Sequence, residues 1–273
     1  MAVVACAACF ACGSSKSSGR SGCDDPAKCT DAGTVDASVD PCTNDPQKCV
    51  DGGDAGQTFD ESPVVLSWTP VDLSGTYDAG SKRLGALVCD PTTPAGQDAV
   101  YGMFCFHPFG IMVDWIPGHL TMRNPTFDYV IPLNEPVRAV TAGRVRSLTL
   151  KTESWVGPNE YGLLLEPRPH SAYQIEYDHL KDPVVAIGAM VDAGDTLGTG
   201  GRCQGCDLAY AFIEVGVHYH LGATDGSASN RCPTTYGTAE FVERHQVAAD
   251  TQKAVFPSSK WNADSPCVVQ ETK

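Results

Sequence analysis

Positive charge is what this chain has least of: 19 Lys and Arg stand against 33 Asp and Glu in 273 residues, a formal net charge of −14. No basic cluster or stripe relieves that deficit, which argues against a phosphate-backbone partner and therefore against nucleic acid. Long apolar runs are missing as well. No stretch reaches the roughly 18 to 20 residues that a helix needs to cross a bilayer, so membrane contact is expected only through a lipid anchor. Also missing are Gly-x-Ser-x-Gly, a phosphate loop and H-E-x-x-H. Their absence removes the serine hydrolases, nucleotide hydrolases and helix-borne zinc peptidases that use those motifs.

Cysteine, by contrast, is plentiful. Thirteen cysteines scattered without a metal-cluster pattern favour disulfides in an oxidising compartment, and so export. The start, "MAVVACAACFACGSSKSSGRSG", is a short apolar Ala/Cys run ending at Ala11-Cys12 and followed by a Gly/Ser/Lys tail. It is similar to the end of a bacterial lipoprotein signal, which makes residues 1–12 the signal and Cys12 the expected lipidation site, with Cys6 as the alternative acceptor. The expected location is the bacterial cell envelope, lipid-anchored at the outer membrane or facing the periplasm, and otherwise secreted.

Residues 13–58 hold only Val35, Val39 and Val50 as large aliphatics, too little apolar surface to offset the entropy of ordering. They read as an acidic, cysteine-containing disordered tether. Within it "CDDPAKC" and "CTNDPQKC" are two similar units, either small disulfide knots or plain acidic spacer. Past Phe59 the pattern changes to short apolar runs broken by turn residues, among them "PVVLSWTPV", "RLGALVC", "FDYVIPL", "YGLLLEP", "YQIEYDHL" and "LAYAFIEVGV". This pattern predicts a mainly β sandwich. One segment, "GTAEFVERHQVAADTQKAVF", reads as a helix capped by Thr238, with Phe241, Val242, Val247 and Val255 for its buried face. The expected organisation is an N-terminal β extension at 59–116, a core at 117–220, and a helix with a disulfide-pinned tail at 221–273. Six cysteines fall in this part and allow fifteen connectivities; the expected pairs are Cys89–Cys105, Cys203–Cys206 and Cys232–Cys267.

Between Pro136 and Val217 the segments "EPVRAVTAGRV", "YGLLLEP", "YQIEYDHL", "VVAIGAMVDAGDTLGTGG" and "AFIEVGV" follow one another. Val185, Gly188, Val191, Gly194, Leu197 and Gly198 keep a three-residue beat in which glycines allow positive φ. Order and spacing resemble the lysostaphin or LytM-like zinc endopeptidases, duplicated-hybrid-motif β-sandwiches that cut peptidoglycan peptides. The resemblance spans roughly 100 residues, from Pro117 to His218. It implies a zinc site made by a first His followed four positions later by an Asp, and by an H-x-H pair just before Phe-Glu-Val, with the His of Tyr-x-His-Leu assisting catalysis.

That last histidine is His179. His119 is the candidate first ligand and Asp128 the nearest aspartate. On the final strand, however, Tyr210 and Phe212 stand where the two histidines belong. His218 and His220 form an H-x-H lying six to eight residues further on, about 20 to 26 Å along a strand. Three readings follow: an envelope lipoprotein with a degenerate peptidase domain that binds wall peptide, glycan or an envelope protein without hydrolysis and without a cofactor; an active zinc endopeptidase using His119, Asp128, His179 and His218 or His220; and a purely structural module.

Overall fold

The computed structural model describes residues 59–92, 104–113, 122–152, 157–202, 210–220 and 228–268. Cys12 and the tether therefore lie outside the described residues, as do His119, Cys203 and Cys206 and the side chain of His220. The strands in chain order are β1 (Arg83–Leu84), β2 (Leu87–Val88), β3 (Phe106–His107), β4 (Met112–Val113), β5 (Met122–Arg123), β6 (Phe127–Pro132), β7 (Pro136–Arg138) and β8 (Gly143–Leu150). They continue with β9 (Glu160–Glu166), β10 (Tyr173–Lys181), β11 (Met190–Val191), β12 (Thr196–Arg202), β13 (Tyr210–His220) and β14 (Ala228–Arg231), and the one long helix among the described residues, α1 (Ala239–Val255), follows.

Ten of these strands form one antiparallel sheet ordered β11-β8-β9-β10-β12-β13-β6-β3, with β7 added on β12 and β14 on β13. Val145 and Val191 from one end of that order share a core with Phe106 and Tyr129 from the other, so the sheet folds over itself into two layers. The expected mainly β architecture with a C-terminal helix is the one present. Alternation explains the strands: in β13 Ala211, Ile213, Val215 and Val217 are buried in the core, so the residues between them face the other side of the sheet. The positive φ of Gly188 (85°) and Gly194 (93°) supplies the hairpin turns that the glycine spacing announces. At Gly194 the ring of Trp68 also lies so close that a Cβ would come within 2.9 Å of it.

Two local expectations change. "PVVLSWTPV" forms no strand, only an isolated bridge between Leu66 and Gly237; its apolar residues are there to be buried, and Val64, Leu66 and Val71 lie in the core. In α1, Thr238 caps the helix as expected, its side chain accepting from the Phe241 N–H. Its buried face, however, is Phe241, His245, Ala248, Ala249 and Gln252, while Val242, Val247 and Val255 are only partly covered. The interior takes His245 because both ring nitrogens find partners, Nδ1 donating to the Phe241 carbonyl at 2.7 Å and Nε2 accepting from the Tyr129 hydroxyl at 2.8 Å. The carbonyl partner fixes the tautomer. Gln252 then ties the helix to the sheet, its Oε1 accepting from the Cys105 N–H at 2.8 Å.

Burial holds the His245 pKa down at about 4, against an ordinary 6.5. The unfolded chain therefore takes up a proton that the folded chain refuses, and stability is complete above pH 6.5 and is lost as pH falls from 6.5 toward 4. The loss expected from this one group is roughly 3 kcal/mol. Denaturant titration of the native chain and of His245→Gln across that range should give a clearly shallower pH slope in the variant; an equal slope contradicts the assignment.

Candidate functional site

The face of the sheet opposite the core carries a row of ionisable groups. His107 on β3 stands opposite Asp128 on β6, Asp128 opposite Glu214 on β13, and Glu214 opposite Asp178 on β10. Sequence places these four far apart; antiparallel register makes them neighbours on adjacent strands.

Asp128 and His107 are wholly buried. A carboxylate there is tolerable only when its oxygens are satisfied, and three donors reach it. His107 Nδ1 approaches Oδ2 at 2.9 Å, Asn124 Nδ2 donates to the same oxygen at 3.0 Å, and the Thr126 hydroxyl donates to Oδ1 at 2.7 Å. Asn124 and Thr126 are buried too, and the Asn124 side-chain amide oxygen lies 3.2 Å from the Thr126 hydroxyl oxygen. Burial pushes the His107 pKa below its ordinary value, so the imidazole is a neutral donor through Nδ1. Phe104 stacks on its ring at 3.6 Å between centroids and Trp261 packs edge-on at 4.5 Å.

Glu214 behaves oppositely. Burial, and then the neighbouring carboxylates Asp128, Asp178 and Glu176, raise its pKa well above the usual carboxylate range, so it holds its proton. Asp178 is bound by the Lys151 ammonium at 2.7 Å. His218, four residues further along β13 and therefore about 13 Å away, bonds Glu176 at 2.6 Å. That hydrogen bond is the first cause of the lowered Glu176 pKa.

His179 sits where the sheet forks, because β10 pairs with β13 up to Asp178 and with β12 from Leu180 onward. Its φ of 62° and the bulge between Tyr177 and Leu180 break the alternation that would otherwise turn it away from Asp178. The main-chain N–H of His179 donates to Asp178 Oδ1 at 2.8 Å, and its Nδ1 meets Glu160 Oε2 at 3.0 Å. Phe212 lies against the His179 ring, with centroids 5.4 Å apart.

Of the residues singled out in the sequence, Asp128, His179 and His218 thus acquire three separate partners, His107, Glu160 and Glu176, and do not converge. Counting four positions back from Asp128, the spacing that the resemblance implies for a first ligand, gives Asn124 rather than His119. This was legible in the sequence. His107 had no such signal, since its partner is 21 residues away and no motif joins them. Zinc fits these residues poorly: Phe212 has no donor atom, Asn124 turns its amide nitrogen toward Asp128, and a structural or catalytic site needs at least three protein ligands. Among the described residues no group of three His, Cys, Asp or Glu is arranged to hold a metal ion. Two of the expected disulfides, Cys89–Cys105 and Cys232–Cys267, are formed.

No family model matches the chain, and neither does any curated protein. Solved structures do. The chain is similar to the antimicrobial peptidase lysostaphin from Staphylococcus simulans, at 15% identity over 48% of each chain with a TM-score of 0.37. It is similar to a point mutant of the catalytic domain of the prophage-encoded M23 protein EnpA from Enterococcus faecalis, at 19% identity over 49% of this chain and 92% of that one, TM-score 0.34. It is also similar to Csd3 of Helicobacter pylori, at 14% identity over 48% of this chain and 31% of that one, TM-score 0.33. The alignment thus spans about half of whole lysostaphin.

Gly201 is expected to be indispensable to the fork. A Cβ there would stand 2.5 Å from Glu160 Cδ and 2.7 Å from the His179 carbonyl oxygen, so Gly201→Ala must push the Glu160 carboxylate off the imidazole. Denaturant unfolding should show a loss of about 2 kcal/mol, with the His179 ring resonances shifted in an NMR spectrum; a variant with native stability and spectrum refutes the close packing.

Proposed function

We propose that the chain is an exported cell-envelope protein whose peptidase-like β-sandwich binds cell-wall or envelope components without hydrolysing them. One observation carries the reading: where the resemblance puts a zinc ligand set, Asn124 and Phe212 stand beside an Asp128 whose oxygens are already engaged by three neutral donors. A hydrolytic site of that kind must charge a water molecule on its cation, and these side chains offer no cradle for one. What supports retained binding is the surface beside them. Phe104 and Tyr210 are only partly covered and pack on Val88, Val130 and Phe212, an aromatic floor whose Phe212 lies two residues from Glu214 along β13.

Export, and an anchor at Cys12, belong to the same proposal. Two disulfides among the described residues support an oxidising compartment, and no helix among those residues is long and apolar enough to cross a membrane. The partner expected is wall peptide or glycan.

Co-sedimentation of the full chain with purified wall sacculi, run beside a turbidity assay with added zinc chloride, separates the readings. The expected result is sedimentation with no clearing. Tyr210→Ala, at the edge of the aromatic floor, should weaken binding roughly tenfold. Zinc-dependent clearing by the native chain establishes the peptidase reading instead, and absence of sedimentation removes the binding role.

A further inference from the structure

Strand β3 is two residues long and lies at the end of the main strand order, so β6 is the strand that holds it. Two backbone-paired residues are a weak attachment for an edge, yet β3 brings Phe106 and Cys105 into the core and meets α1 through Gln252. Cys105, just before β3, is also held by its disulfide to Cys89, and the side-chain bond of His107 to Asp128 at 2.9 Å is a further attachment, made directly to β6 in a wholly buried place. Phe104 and Trp261 enclose the imidazole. Trp261 belongs to the C-terminal tail, which is held by hydrogen bonds between Phe109 and residues Pro266 and Val268 and by the Cys232–Cys267 disulfide.

A carboxylate buried at this depth must have a counterpart, and a bound cation is one solution. Here the geometry shows another. We infer that His107 is this chain's built-in substitute for a metal ion: with Asn124 and Thr126 it saturates Asp128, locks β3 to β6 and makes the folded state independent of zinc. Removing one member of such a buried pair strands the other in a dry interior, which costs far more than the pair contributes; replacing both with apolar side chains avoids that penalty. The inference concerns the fold and not the ligand, so wall binding can fail while the lock stands, and the lock can fail while binding persists.

The test is thermal unfolding of the full, disulfide-bonded chain after EDTA dialysis, with and without zinc chloride, for the native protein, His107→Phe and His107→Phe/Asp128→Leu. Phenylalanine keeps the ring and removes the donor. The native melting temperature is expected to be the same in EDTA and in zinc, with no stoichiometric zinc in the dialysed protein. His107→Phe should melt about 10 °C lower, and the double variant should recover most of that loss. A native melting temperature that drops in EDTA and returns with zinc overturns the inference. So does a His107→Phe variant that melts like the native chain, or a double variant no more stable than the single one.

Discussion

A carboxylate placed out of reach of water has to be met by donors or by a cation, and the Asp128 side chain on β6 imposes that demand on everything around it. Its three donors come from two segments: the edge strand β3 supplies His107, and the turn before β6 supplies Thr126 and the Asn124 amide, the latter at the position where the resemblance expects a ligand histidine. Because the counterpart is made of neutral groups rather than a metal, the negative charge stays in place. On the next strand burial first, and then the neighbouring Asp128 carboxylate, hold the proton on Glu214. The row thus runs from the His107–Asp128 pair through the protonated Glu214 to the Asp178–Lys151 ion pair, and the proton on Glu214 keeps three neighbouring carboxyls from ionising together.

The same economy holds at the other end of the site. His179 is bent into positive φ at the fork of the sheet and held by Glu160, and Gly201 leaves the space for that carboxylate. Phe212, which separates the two centres, packs on both the Phe104 and the His179 side. The position that the resemblance gives to a ligand histidine on β13 is thus taken by a hydrocarbon ring. On the proposed reading, the partly covered rings of Phe104 and Tyr210 beside Phe212 are the surface that meets a ligand.

Much of the fold could be read from residue order because β9, β10 and β13 are short apolar runs bounded by turn residues, and because Gly188 and Gly194 stand at the turns on either side of β11. Of the expected cysteine pairs, chosen among fifteen connectivities that sequence leaves open, Cys89–Cys105 and Cys232–Cys267 are present. Burial without pairing was harder to see: Val64, Leu66 and Val71 look like a strand because they alternate into the core, but they form only one bridge. His245 gave no sign of being core, since a helix-borne histidine is buried only when tertiary partners such as Tyr129 arrive. Asn124 was present in the spacing from Asp128 all along. His107 was not, because its meaning depends entirely on the register between two strands distant in sequence.

The proton on His107 Nδ1 is the most direct witness of this arrangement. In a long-range nitrogen–proton NMR spectrum of the zinc-free chain, with His107→Gln used to assign the ring, the account predicts a neutral imidazole protonated at Nδ1. It also predicts a slowly exchanging, far-downfield proton that excess zinc leaves untouched. An imidazole that carries its proton on Nε2, or that loses the Nδ1 signal when zinc is added, contradicts the claim that Asp128 is satisfied from within the chain.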